Sequence, residues 1–293
     1  MRSSVSRRAP MSLAHDLQIR LDPAALMSRA GMPPDPWQRD LLRSRADRTL
    51  LMCARQTGKS TVTAAMALHE CFYTLGSLVL LLSPSLRQSQ EVFRKVTDFR
   101  NRVGDTVPVK DESALRVEWT NGSRIVALPG TEETVRGFSG VRLLIVDEAA
   151  RVPDPLYFAI RPMLAVSGGR MVCLTTPFGK RGFFHDEWTG ANPWERIRIT
   201  ALDCPRISKT FLEEERNALG EWWFKQEYLC DFADATEQFF RTEDILRAFS
   251  DEVEPLFPSR AARRPGTKEE IEETSEGPFS GEVRSSLWAP EEP

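Results

Sequence analysis

Thr49-Leu50-Leu51-Met52-Cys53-Ala54-Arg55-Gln56-Thr57-Gly58-Lys59-Ser60 decides the fold. Its first five residues are an apolar run with the length of a buried strand. Cys53 to Ser60 then has the form of a phosphate-binding loop, with Cys53 where the usual pattern has its first glycine. Ser60 to Leu75 reads as a helix with Val62, Met66, His69 and Phe72 or Tyr73 on one face. Strand, loop and helix in this order are what a phosphate site needs. Backbone N–H groups near Gly58 and the positive helix end cradle phosphates. Lys59 supplies a point charge to them, and the Ser60 hydroxyl is a ligand for Mg²⁺. Arg55, Gln56, Thr57 and Thr61 complete the expected nucleotide-binding set.

Outward from this loop, short apolar strands alternate with longer amphipathic helices. Leu78 to Ser83 reads as a strand, and Leu86 to Val103 as a helix with Phe93, Val96, Phe99 and Val103 inward. Asn121-Gly122, between Val117–Thr120 and Arg124–Leu128, predicts a hairpin and hence an antiparallel ribbon. Leu143 to Val146 and Met171 to Leu174 are further sheet strands, Trp194 to Thr200 an edge strand, and Lys209 to Leu229 a helix interrupted near Gly220. The expected class is α/β: a P-loop NTPase of the RecA/ASCE type, with a mostly parallel sheet flanked by helices. Composition changes after about Phe249. The expected boundaries give an N-terminal extension at 1–34, an ATPase domain at 35–235, a linker helix at 236–249 and a disordered acidic tail at 250–293.

The run Leu143-Leu144-Ile145-Val146 ends in Asp147-Glu148. In a doubly wound sheet, an acid at the C-terminal end of a buried strand lands beside the phosphate loop. Asp147 is therefore expected to hold Mg²⁺ through water, and Glu148 to orient and deprotonate an attacking water. Alone, an Asp-Glu pair after a strand reads as a solvated helix cap. The upstream loop favours the catalytic role. Gln38, after Pro33-Pro34-Asp35-Pro36-Trp37, carries an amide that can both donate to and accept from an adenine edge. Thr175-Thr176-Pro177 ends the next strand, where a hydroxyl is placed to sense hydrolysis; turn chemistry is its plainer explanation.

Charge and cysteines narrow the class. Net charge is −3, with 39 Lys and Arg against 42 Asp and Glu. From Asp251 to Pro293 there are 11 acids and 5 bases, leaving 34 bases and 31 acids for the rest. A body this weakly basic is no histone-like binder, although a local patch can touch DNA. No uncharged apolar run nears the ~18 residues of a membrane span, and no apolar stretch follows Arg2, Arg7 and Arg8. A cytoplasmic protein without membrane contact is expected. Cys53, Cys71, Cys173, Cys204 and Cys230 are widely spaced and joined by only three histidines, which excludes zinc-ligand spacing and predicts reduced, buried thiols.

Together these motifs resemble the large terminase subunit of tailed bacteriophages over about residues 22–249. The resemblance rests on Trp37-Gln38, Ala54 to Ser60, Ser83-Pro84-Ser85-Leu86-Arg87-Gln88, Arg136-Gly137-Phe138-Ser139-Gly140, Val146-Asp147-Glu148-Ala149 and Thr175-Thr176-Pro177. The Arg55-Gln56 pair inside the loop is the most family-specific element. The resemblance implies a Mg²⁺-dependent ATPase that drives double-stranded viral DNA into a capsid. It implies a homo-oligomeric ring, a pentamer on the portal protein, working with a small terminase subunit in the bacterial host cytoplasm and docking transiently on the procapsid. It also implies a basic residue reaching the neighbouring subunit's ATP, a place that Arg136 matches, with Arg142 as substitute and Arg55 acting within its own subunit. Family members carry a nuclease domain after the ATPase. With about 44 residues beyond Phe249, nuclease activity is expected to be absent, and a truncated prophage product without catalysis stays open. A helicase-like ATPase is the alternative enzyme, although such enzymes need a second motor domain. DNA would be held by its phosphates, with Arg87 and Lys180-Arg181 as candidate contacts.

Overall fold

Alternation inside the apolar runs sets the architecture. In β1 (Arg48–Cys53), Leu51 and Cys53 face one side of the sheet, and Leu50 and Met52 the other. The same split separates Val79 and Leu81 from Leu78, Leu80 and Leu82 in β2 (Leu78–Ser83). It recurs in β6 (Leu143–Asp147) and β7 (Arg170–Thr175). Strands that are apolar on both faces belong in a sheet covered by helices on both sides. A computed structural model describes residues 12–104, 106–130, 135 and 137–232, all within the first of two compact units, residues 1–241. The expected linker helix at 236–249 and tail at 250–293 lie outside the described residues.

The sheet has eight strands in the order β3-β4-β5-β2-β6-β7-β1-β8, with β8 spanning Glu195–Ile199. From β5 (Arg124–Pro129) to β8 every pairing is parallel. This order controls the site. β7 lies between β1 and β6, so the strand ending in Thr175 separates the phosphate-loop strand from the acidic strand. All three present their C-terminal ends at the same edge.

On one face, α4 (Lys59–Tyr73) and α5 (Leu86–Val103) pack side by side through Val62, Leu68, Phe93 and Val96. α1 (Leu13–Leu21), α2 (Ala24–Arg29) and α3 (Pro36–Arg43) join the same core through Ile19, Leu26, Met27 and Leu41. The stretch 1–34, expected as an extension, is therefore integral to the body over its described part. On the other face, α6 (Asp154–Ile160), α7 (Gly182–Thr189) and α8 (Lys209–Leu229) cover the sheet with Leu156, Ile160, Phe184, Leu212 and Phe224.

The hairpin forms as expected, with Gly122 at φ +80° in the turn. It is not a separate ribbon. β5 pairs in parallel with β2, so β4 (Arg116–Trp119) and β3 (Val109–Glu112) extend the main sheet. β3 is mostly exposed and charged, as edge strands often are, and left no apolar pattern to find. Within α8, Gly220 at φ +78° breaks the helix where the sequence placed the interruption.

Candidate functional site

The phosphate loop is held from three directions. Thr57 is fully buried and donates from Oγ1 to the Ala54 carbonyl at 2.9 Å, closing the loop on itself. Gly58 takes φ +96°, a conformation that disfavours side chains, and opens α4. Arg206 donates to the Thr57 carbonyl at 2.9 Å and to Asp35 at 2.7 Å. Gln38 donates from Nε2 to the Gly58 carbonyl at 3.3 Å and accepts the Asp35 N–H on Oε1 at 2.9 Å.

Gln38 is only 2 % exposed, and both ends of its amide bond the loop and the start of α3. Asp35-Pro36-Trp37-Gln38 places Gln three residues after a helix N-cap, where it folds back onto the cap backbone.

Lys59 is the hub of the cleft. Its Nζ donates to Thr176 Oγ1 at 2.8 Å and to the Cys53 carbonyl at 3.4 Å, and lies 3.9 Å from Glu148 Oε1. Three motifs thus meet on one ammonium. The cleft around it encloses about 670 Å³ and is lined by Arg55 to Thr61, Gln88, Lys95, Glu148, Arg151 and Thr176. It sits at the C-terminal edge of the strands, where ligands of open α/β sheets bind.

Asp147 is the last residue of β6 and is largely withdrawn from water. Burial, aided by the neighbouring Glu148 charge, pushes its carboxyl up to about 6, with Lys59 and Lys95 pulling the other way. Glu148 follows in the left-handed region at φ +50°, which turns its side chain back toward Lys59. Arg151, one turn later, lies 4.0 Å from Glu148 and stacks its guanidinium 4.0 Å from the centre of the Phe178 ring.

Gln56 and Cys230 are also left-handed, at φ +61° and +58°. These and Glu148 are the non-glycine residues with positive φ among those described; Gln56 and Glu148 line the cleft, and Cys230 is buried against the end of β8. Cys230 donates its thiol to the Ile199 carbonyl, which also accepts the Ala54 N–H.

A family model for the N-terminal part of T4-like large terminase subunits matches residues 50–247. The chain belongs to this family. The terminase large subunit of Thermus phage G20c is 25 % identical over 252 residues, covering 74 % of this chain and 52 % of that protein. The chain thus spans about half the length of the curated relatives it matches. The large terminase ATPase domain of Thermus phage P74-26 superposes with a TM-score of 0.63 at 22 % identity, over 71 % of this chain and 97 % of that domain. A large terminase from a thermophilic bacteriophage, solved in complex with ATP-γ-S, superposes with a TM-score of 0.56 at 14 % identity, over 69 % of this chain and 53 % of that one. Both show a shared fold.

Within this terminase fold the predicted residues separate into groups. Arg55, Gln56, Thr57, Gly58, Lys59, Ser60, Thr61 and Glu148 line the cleft, and Asp147 ends β6 within reach of the Lys59 charge. Arg55 is drawn aside: its Nε donates to Glu227 of α8, beyond the Gly220 break, and its own N–H bonds the Glu227 carbonyl. Arg136 lies outside the described residues. Arg142 precedes β6 at the opposite end of the sheet, where it donates to the Ser167 carbonyl at 3.0 Å, far from its own cleft. Arg87, Lys180 and Arg181 are exposed, on segments leaving the ends of β2 and β7.

Sequence reasoning missed Gln88, Lys95, Arg151, Arg206 and Glu227. Gln88 and Lys95 are seven apart on α5, the spacing of one helix face, which was legible but had no reason to point at the loop. Arg206 and Glu227 left no local pattern. Tertiary packing alone brings them in. All five cysteines are free and buried, as expected, and no helix among the described residues is long and apolar enough to cross a membrane.

Proposed function

We propose that this chain is the ATP-hydrolysing motor segment of a phage terminase, coupling turnover to the packaging of double-stranded DNA. The carrying observation is the single ammonium of Lys59 shared by the phosphate loop, Thr176 and Glu148, at 2.8 Å and 3.9 Å from the latter two. Family membership and relatives named as terminase large subunits support it, as does the ATP-γ-S bound by the thermophilic phage terminase of the same fold.

In this reading the loop N–H groups and Lys59 hold the β- and γ-phosphates. Glu148 accepts the proton of the attacking water, and Lys59 and Arg151 steady its carboxylate. Thr176, bonded to Lys59, is placed to register loss of the γ-phosphate and pass it along β7. Ser60 and Asp147 offer hard oxygen donors, and the crowding that lifts the Asp147 carboxyl to about 6 is what a divalent cation would relieve, so they fit Mg²⁺. Mg²⁺ when bound neutralises phosphate charge. Arg55 acts within its subunit once released from Glu227, and Arg136 reaches the nucleotide of a neighbour in a ring of copies.

Double-stranded DNA is held through its phosphates, with exposed Arg87, Lys180 and Arg181 as contacts at the cleft edge. The portal protein and the small terminase subunit are the protein partners, on a procapsid in the host cytoplasm. Phosphate release from ATP by the wild-type chain, Lys59→Ala and Glu148→Gln tests the assignment. Both variants should lose turnover, by about 10²-fold or more for Glu148→Gln, which should still bind ATP. Wild-type turnover by Glu148→Gln would overturn the base assignment.

A further inference from the structure

Lys95 projects from α5 to the phosphate loop and lines the cleft. Its Nζ donates to Ser60 Oγ at 3.3 Å, and its charge acts on Asp147. These are the two residues whose oxygens fit the divalent cation. Lys59 is already committed to Thr176, Cys53 and Glu148. The two lysines therefore bond different hydroxyls of the cleft: Lys59 holds Thr176 near Glu148, Lys95 holds Ser60, and the charges of both act on Asp147.

The two cations differ in freedom. Lys59 opens α4 and its side chain is 12 % exposed, whereas Lys95 on α5 is exposed. An exposed lysine has a long, flexible stem and a strongly hydrated head, so it can withdraw at little cost. A divalent ion on Ser60 would place like charges within a few ångströms of Lys95, and one must leave.

We propose that Lys95 is a tethered stand-in for the metal: it holds Ser60 while the cleft lacks Mg²⁺, and gives it up when the ion arrives with nucleotide. It rests on the ATP and Mg²⁺ reading above. Two consequences follow from displacement. The Mg²⁺ concentration needed for tight nucleotide binding is set higher than Ser60 and Asp147 alone would require. Nucleotide also keeps part of its affinity in the absence of metal, because one cation stays near the phosphates.

The experiment titrates a fluorescent ADP analogue into the full chain at a series of Mg²⁺ concentrations and in EDTA. It compares wild type, Lys95→Met and Lys95→Arg, with melting curves as a folding check. Lys95→Met should lower the half-saturating Mg²⁺ by about threefold to tenfold, the worth of one displaced hydrogen bond. It should also weaken binding in EDTA, and Lys95→Arg should keep both values near wild type. An unchanged Mg²⁺ midpoint in Lys95→Met would overturn the proposal. So would a loss of affinity at saturating Mg²⁺, which would make Lys95 a plain phosphate ligand. Failure of the wild-type chain to bind the analogue at any Mg²⁺ concentration would instead overturn the ATP assignment, and the stand-in role with it.

Discussion

Lys59 and Thr176 are hydrogen-bonded at 2.8 Å across 117 residues of chain. The bond exists because β7 is inserted between β1 and β6, which sets the end of β7 over the loop that follows β1. It ties the Lys59 ammonium to the strand most directly able to feel it move.

Thr176→Val keeps shape and removes the acceptor. A hydrogen bond to a charged group contributes about 1.5–3 kcal/mol. The variant should bind ATP within a few-fold of wild type and lose about tenfold or more in turnover, read by steady-state phosphate release. Equal loss in binding and turnover would make Thr176 a simple support for Lys59.

Gly58→Ala should both destabilise the chain and disable the loop. The residue sits at φ +96°, and an added Cβ would lie 2.7 Å from Gln38 Nε2. The backbone strain alone costs about 1–3 kcal/mol. Adding Gln38→Ala should recover only the steric part, so the two changes are non-additive in a thermal-melt double-mutant cycle.

His69 should make the body acid-sensitive. Burial holds its imidazole below the ordinary 6.5 against the bond to the Ile19 carbonyl, with Glu70 and Asp22 favouring the proton and Arg45 opposing it. Tyr73 also packs against the ring. A depressed histidine leaves the unfolded chain binding more protons, so stability is complete above about pH 6.5 and falls as pH drops through that value. His69→Gln can still donate to Ile19 but does not titrate. Its melting temperature should fall less than wild type between pH 7.5 and 5.5.

The thiols should be silent in the native state. Burial pushes Cys53 and Cys230 up to about 12 and raises Cys71 and Cys173 as well. A thiolate is the reactive species, so at pH 8 a disulfide reagent should label the folded chain far more slowly than the chain in denaturant, which should titrate five. Fast labelling of the native chain would show that the cleft edge opens.

Much of this was legible because both-sided burial writes itself as unbroken apolar runs. β2 and α5 begin and end where the sequence put them, and the loop, Asp147 and Glu148 converge as the strand order requires. What escaped was structure without a period of its own. β3 is exposed and charged, α6 is only seven residues long, and Arg206 reaches the loop from a turn. The bonds of Gln38 to a helix cap and a loop carbonyl also went unread, since an amide suited to a base edge is equally suited to both.

The left-handed backbones of Gln56, Glu148 and Cys230 have a bearing on how this chain can be improved in the laboratory. Each stores conformational strain that glycine or asparagine would release. A selection for heat resistance alone would therefore drift toward these three positions, and each gain there would slacken the edge that holds the loop, Glu148 and the end of β1. Thermostable variants that keep their chemistry should be sought on the helices of the opposite end, where stability can rise without touching the strained rim.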